Sequence, residues 1–382
     1  MAKAKAKTTT NNYRADISMS DEDFLNEYVF GDVDKKLKEV DIPPIETGLI
    51  PLDIILHGGI RLGDIIMFYS GEGVGKSTIC LQLSRKMIEK HNKKVLYIDV
   101  ESGVRNQIED FKLKKHLEDR NFNYIDRLKS VDEIEKLFDG ILAKKELPFD
   151  VLILDSISNV IPSTLLTRSV VDPMMAGQAK EITSLLQKYR VLFKERGIIF
   201  LIINQERANL KAQTKYDPAF KVAGCKAIVY TPDVTIKLSN GEPIKENRKT
   251  INGIEEIEVG RFLKAVAIKN RKGNGKITVQ FPIRFGAGIS NVMFLAKMLK
   301  DKGYVKTAGA YTKTSLLPNP KGGEWSLKGK AGLEEWVDQN YDAINAILKS
   351  EGAFELMISK DVLDVTDEEV TVENDDDFVV NF

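Results

Sequence analysis

The chain has 382 residues, more than one small domain needs, and its 43% apolar content is that of an ordinary globular protein. No apolar run approaches the roughly 18 residues that a membrane span requires. The start, MAKAKAKTTTNNYR, is basic but has no apolar stretch to serve as a secretory signal. Charge balances over the whole chain but not along it: residues 1–14 carry Lys3, Lys5, Lys7 and Arg14 and no acid, whereas residues 361–382 carry nine acids and no base. The remainder is mildly basic, too mildly to establish nucleic-acid binding. The two cysteines, Cys80 and Cys225, lack metal-ligand spacing and read as reduced thiols of an intracellular protein.

Taken in order, Ser20-Asp21-Glu22-Asp23 predicts a helix start, with Phe24, Leu25, Tyr28 and Val29 as its apolar face. So short a segment must pack on the main body or on a neighbouring subunit. Ile42-Pro43-Pro44 ends it, and Gly58-Gly59 and Gly63 mark tight turns before the first core strand. Residues 64–90 then read strand, glycine turn, helix. Ile65 to Tyr69 is unbroken apolar sequence, as in a strand buried on both faces. Gly71, Gly73 and Gly75 precede Lys76 and Ser77, and Ile79, Cys80, Leu83 and Met87 recur at helical spacing. This is the context of a phosphate-binding loop, in which backbone N–H groups and a helix N-terminus cradle phosphate oxygens. Lys76 would reach the β- and γ-phosphates and Ser77 would bind Mg²⁺. The first glycine of the GxxxxGK[ST] pattern is replaced by Ser70.

A second strand is expected at 94–100, a helix at 131–145, a strand at 151–154, a helix at 178–194 and a strand at 198–203. The alternation predicts a mainly parallel sheet covered by helices. Each strand turns polar at its end, so Ser70, Glu101, Asp155 and Gln205 would converge on one sheet edge, where ligands of such sheets bind. Asp155 would hold Mg²⁺, Glu101 would polarise the attacking water and Gln205 could sense the γ-phosphate. Shorter strands are expected at 234–238, 262–269 and 277–283, and later helices at 292–302 and 333–349. The stretch 206–224 is long and aperiodic and interleaves bases with aromatics, which suits either nucleic-acid contact or a plain surface loop.

SGEGVGKST, IDVES, LILDS and IINQ, in this order and at these spacings, resemble the RecA-type recombinases. Ala223-Gly224-Cys225-Lys226-Ala227 is similar to the glycine pair that closes a family DNA-binding loop, with Cys225 in place of the second Gly. Residues 267–289 resemble the family's Lys-Asn-Lys strand, and AGAYTK with GKAGLEEWVDQN its carboxyl-terminal domain. Ser70, and Arg271 in place of the second Lys, resemble phage-encoded members of the UvsX kind.

The resemblance implies an α/β fold: a RecA-type P-loop ATPase core with a mainly parallel sheet over 45–289, and a short helical segment for subunit packing within 1–44. A small α+β domain over 290–350 and an acidic, disordered tail over 351–382 would follow. It assigns nucleotide binding to Ser70, Gly71, Glu72, Gly73, Val74, Gly75, Lys76, Ser77, Thr78 and Phe285, and Mg²⁺ to Ser77 and Asp155. Catalysis falls to Lys76, Glu101 and Gln205, with Lys269 and Arg271 reaching a neighbouring subunit's nucleotide. Arg105 and Ile108 stand where bacterial members have other adenine contacts. Two DNA-binding loops are implied, one at 165–177 with Arg168, Met174 and Met175, the other at 206–224 with Arg207, Lys211, Lys215, Tyr216, Phe220 and Lys221. Lys180 matches a family arginine and Gln187 replaces another.

The function so implied is ATP- and Mg²⁺-dependent homologous recombination in the cytoplasm. A filament on single-stranded DNA would pair with double-stranded DNA, helped by single-strand-binding or mediator proteins, with no membrane partner. A hexameric helicase or repair ATPase on the same core is the alternative, against which stands the absence of a zinc-binding cysteine set. A signalling or clock-like P-loop ATPase would repeat its core, and no internal repeat is visible.

Overall fold

The computed structural model describes residue 20 and residues 42–162, 175–208, 220–223, 226–250, 253–273 and 277–354. The predicted amino-terminal helix and residues 355–382 of the predicted tail lie outside these residues; residues 351–354, expected to open a disordered tail, are instead described, with Ala353 buried in the core and Phe354 packed against it. From Pro44 onward the chain forms one unit. Its first elements are α1 (Ile50–Ile55), β1 (Ile65–Ser70), α2 (Lys76–His91), β2 (Val95–Asp99), α3 (Gln107–Asp110), α4 (Lys114–Glu118) and β3 (Phe122–Ile125). Then come α5 (Val131–Leu142), β4 (Val151–Asp155), α6 (Met175–Arg196), β5 (Ile199–Ala208), β6 (Phe220–Val222) and α7 (Lys226–Tyr230). The rest is β7 (Val234–Thr250), β8 (Gly253–Asn270), β9 (Thr278–Arg284), β10 (Gly288–Ile289), α8 (Asn291–Asp301), β11 (Lys306–Ala308), β12 (Tyr311–Thr314), β13 (Trp325–Lys328), α9 (Gly329–Gln339) and α10 (Tyr341–Ser350).

The main sheet has the order β10-β9-β8-β7-β1-β5-β4-β2-β3, with β6 paired to β5. The strands from β7 through β3 in this order run parallel, and β8, β9 and β10 add an antiparallel flank. The expected α/β fold with a mainly parallel sheet is therefore present, and β11, β12 and β13 form a separate small antiparallel sheet.

The apolar strands are buried on both faces because helices cover both. Ile66, Phe68, Tyr97, Ile153 and Leu201 face α2, whose Ile79, Cys80, Leu83 and Met87 meet them. The alternate residues Met67, Ile98, Leu154 and Ile202 face α5 and α6. There Phe138 makes edge-to-face contacts with Tyr189, Phe193 and Phe200, at centroid distances of 4.9, 5.1 and 5.7 Å. Helix α5 starts where Ser130 and Glu133 form a reciprocal capping box. Leu333, Trp336 and Ile344 of the last helices join the same core as α2. Among the described residues no helix is long and apolar enough to cross a membrane.

Three sequence expectations need correction. The short strands expected at 234–238 and 262–269 are the buried bases of a long hairpin, β7 and β8, paired out to Thr250 and Gly253. Its outer half alternates charged residues, so no period-2 apolar signal marks it. The helix expected at 333–349 breaks at Asn340, whose side-chain amide turns back to donate to Trp336 O at 2.8 Å. Strand β5 runs past Gln205 to Ala208, since it pairs there with β6.

Candidate functional site

Strand β1 ends at Ser70, and α2 begins at Lys76. Between them Gly73 and Gly75 adopt left-handed backbone, with φ of 71° and 110°, which a side chain would strain. A Cβ on Gly75 would also lie 3.0 Å from Ile283 Cδ1. Ser70 is different: it is still in register with Gln205 of β5, so no left-handed turn is required of it. Its buried hydroxyl donates to Gly71 O at 2.8 Å and accepts from Lys76 Nζ at 3.0 Å. Lys76 Nζ also donates to Ser70 O at 3.2 Å and Gly71 O at 2.8 Å. The ammonium thus folds back into the loop, and its donors find acceptors there. Burial lowers its pKa, while Asp155, Glu101, Glu206 and Glu72 oppose the shift.

Ser77 Oγ donates to Asp155 Oδ2 at 2.7 Å, and Tyr97 Oη donates to the same oxygen at 2.6 Å. Burial pushes Asp155 up to about 6, and the hydrogen bonds from Tyr97 and Ser77 limit the rise. Beside it Asp99 accepts from Val104 N at 3.1 Å and Tyr124 Oη at 2.9 Å. Its other oxygen is buried with no partner among the described residues. A hydroxyl, a buried carboxylate and an orphaned oxygen suit a hard cation that keeps water and phosphate ligands, as Mg²⁺ does. Among the described residues no cluster of three His, Cys, Asp or Glu forms a protein-only metal cage.

Glu101 accepts from Ser156 Oγ, and from Gln205 Nε2 at 2.8 Å. Gln205 is held in turn at its backbone: Ala223 N donates to Gln205 O at 2.9 Å, and Gln205 N donates to Asn204 Oδ1 at 2.9 Å, while Asn204 Nδ2 donates to Ala223 O at 2.9 Å. The ribbon of β5 and β6, in which Glu206 faces Val222 and Arg207 faces Lys221, therefore starts directly at Gln205. A cavity of about 350 Å³ connects these groups, lined by Glu72, Gly73, Gly75, Lys76, Ser77, Thr78, Asp99, Glu101, Gln107, Asp155 and Gln205 among others. Ser70, Gly71 and Val74 do not line it, and Val74 packs into the core. Phe285 is 60% exposed, on the turn after β9 and outside the lining. Arg105 pairs with Asp126 at 2.7 Å, and Ile108 packs on the core.

Lys269 and Arg271 lie elsewhere. In the sheet Lys269 faces Thr235, and the next strand pairs Ile66 with Val234. Both cations thus sit where β1 begins, whereas the cavity lies where it ends. Six residues of strand separate the two edges by about 17 Å. Lys269 Nζ donates to Tyr230 O and, at 2.6 Å, to Pro232 O; Arg271 reaches Asp233 at 3.4 Å. Burial, then Arg271 and Arg190, lower Lys269 to about 8.

Residues 14–290 match the family described as the RecA N-terminal domain. The chain is 22% identical to Protein RecA of Mannheimia haemolytica over 339 residues, covering 88% of this chain and 85% of that one. It is 24% identical to Protein RecA of Chloroherpeton thalassium over 273 residues, covering 71% and 72%. The chain belongs to the RecA family of recombinases. The match over residues 14–290 decides the family, and the low identities decide no subgroup within it.

Of the candidate DNA-contacting residues in this RecA-family chain, Arg207 lies on β5 and Lys180 is exposed on α6. Met175 opens α6, and Phe220 and Lys221 form part of β6. Arg168, Met174, Lys211, Lys215 and Tyr216 lie outside the described residues. Sequence reasoning missed Tyr97, Asp99, Gln107 and Ser156. Tyr97 is fully buried in an apolar strand and reads as core; only the pairing of β2 with β4 brings its hydroxyl to Asp155.

Proposed function

We propose that the protein is a DNA-dependent ATPase that forms a helical filament on single-stranded DNA, pairs it with homologous duplex and exchanges strands. The observation that carries this reading is the far-edge position of Lys269 and Arg271. They cannot reach the phosphates bound by their own loop, so they suit the nucleotide of an adjoining copy. A cation supplied in trans stabilises the charge that develops in phosphoryl transfer and ties hydrolysis to assembly.

In this mechanism Lys76 leaves Ser70 and Gly71 for the β- and γ-phosphates. Ser77 and Asp155 would hold Mg²⁺, which would supply positive charge against the phosphates. Glu101, freed from Gln205, orients the attacking water. Gln205 turns its amide to the γ-phosphate, and the bond its carbonyl accepts from Ala223 N carries that movement into the ribbon that opens the 206–224 segment. Arg207, Lys180 and the cations of 209–219 neutralise DNA phosphates, and aromatics or methionines stack on or wedge between bases. The filament works in the cytoplasm, and single-strand-binding or mediator proteins regulate its loading.

A joint-molecule assay tests the reading. Single-stranded DNA coated with the protein and ATP should form joints with a homologous duplex and not with a heterologous one. Equal yields with both would remove the recombinase reading.

A further inference from the structure

The edge that carries Lys269 and Arg271 holds more positive charge than the described residues neutralise. Helix α7 ends there, and its last carbonyl, Tyr230 O, accepts from Lys269 and, at 3.5 Å, from Arg271. Helix α6 packs along α7. Ile268, next to Lys269 on β8, packs against the cluster that contains Leu186 and Tyr189 of α6. Arg190 follows Tyr189. It is half-buried and makes no hydrogen bond or ion pair with any described residue. Its charge is felt at Lys269, whose pKa it helps to depress after burial and Arg271. The carboxylate that opposes these cations is Asp233, which is shared between Arg271 and the backbone N–H of Ile65.

Among the described residues, these three cations face one carboxylate, Asp233, while the neighbouring Lys272 is paired with Asp64, and this leaves positive charge uncompensated in a partly buried place. Like charges held together disfavour their own ionised forms. Such a cluster is stabilised by an anion from outside, and a guanidinium offers a fork of donors that matches phosphate oxygens. We propose that Arg190 joins Lys269 and Arg271 as a phosphate-binding residue for the nucleotide held by an adjoining copy of the chain. This rests on the across-interface reading proposed above. Within QKYRVLFKER Arg190 looks like an ordinary solvated helix residue; only the packing of α6 beside the end of β8 gives it this setting.

Mixed filaments test the proposal. Arg190→Ala should lower DNA-stimulated ATP turnover at least tenfold, leave nucleotide binding without DNA unchanged, and recover largely in Arg190→Lys. Subunits carrying Arg190→Ala keep an intact loop and Glu101; subunits carrying Glu101→Gln keep an intact far edge. A junction between the two places the intact nucleotide site against the intact edge. An equimolar mixture should therefore turn over faster than the mean of the two proteins measured separately, which a merely structural defect would not do. The same mixing with Lys269→Ala serves as the reference. If Lys269→Ala mixtures exceed their mean and Arg190→Ala mixtures do not, Arg190 has no role across the junction. If neither exceeds it, the across-interface reading itself fails, and Arg190 with it. Wild-type stimulated turnover in Arg190→Ala would also overturn the proposal.

Discussion

Asp155→Asn should make the nucleotide-free protein more stable at neutral pH while removing its Mg²⁺-dependent turnover. The Asp155 carboxyl is only 3% exposed, and burial raises its pKa from 3.8 to about 6. A rise of about two units corresponds to about 3 kcal/mol by which folding disfavours the ionised form. Below pH 3.8 the group is protonated in both folded and unfolded chains, and its contribution to stability is fully present. As pH rises through about 6 the folded chain must give up that proton as well, and the contribution is lost. Asparagine carries no charge and keeps an oxygen to accept from Tyr97 and Ser77. The variant should therefore gain about 1–3 kcal/mol above pH 6, an increase of several degrees in melting temperature, and almost nothing near pH 4. Thermal unfolding in EDTA without nucleotide, from pH 4 to 8, measures the gap. A variant less stable than wild type at pH 8, or a gap that does not change with pH, would refute the reasoning. Addition of Mg²⁺ and ATP should reverse the order, since ligand binding then favours the wild type.

Glu101→Gln should slow ATP hydrolysis by about 100-fold or more while sedimentation still detects filaments on DNA; unchanged turnover would assign the water-orienting role elsewhere. Since Lys269 is held near 8 by burial, Arg271 and Arg190, its positive charge disappears as pH rises past that value. DNA-stimulated turnover should fall between about pH 8 and 9 for this reason, and Lys269→Arg should abolish the fall; an identical decline in the variant would place the titrating group elsewhere. Phe138→Ala removes a ring that touches Tyr189, Phe193 and Phe200. It should lower stability by about 3–5 kcal/mol, read as a reduced urea midpoint.

The glycine-rich loop was legible because all its signals are local. An apolar strand, glycines at two left-handed positions and a helix with one apolar face occupy one continuous stretch, and each reports on its own residues. Ser70 was not explicable at that level. Its role lies in a hydroxyl that meets Lys76 across the turn, and its tolerance lies in its register with Gln205. Tyr97 was invisible for a related reason. An aromatic in an apolar strand looks the same whether its hydroxyl is buried against carbon or against Asp155. The outer part of the β7–β8 hairpin left no apolar period because water covers both its faces, so pairing alone defines it.

By itself the sequence determined the α/β class, the glycine-rich loop between strand and helix and the polar strand ends, because hydrophobic period and glycine geometry act over a few residues. Only the tertiary structure decided which groups share an edge. The order β7-β1-β5-β4-β2 brings Lys76, Glu101, Asp155 and Gln205 to one cavity. The antiparallel return of β8 carries Lys269 and Arg271 to the opposite edge. Strand order and direction depend on pairings between residues far apart in the chain, and no local spacing encodes them.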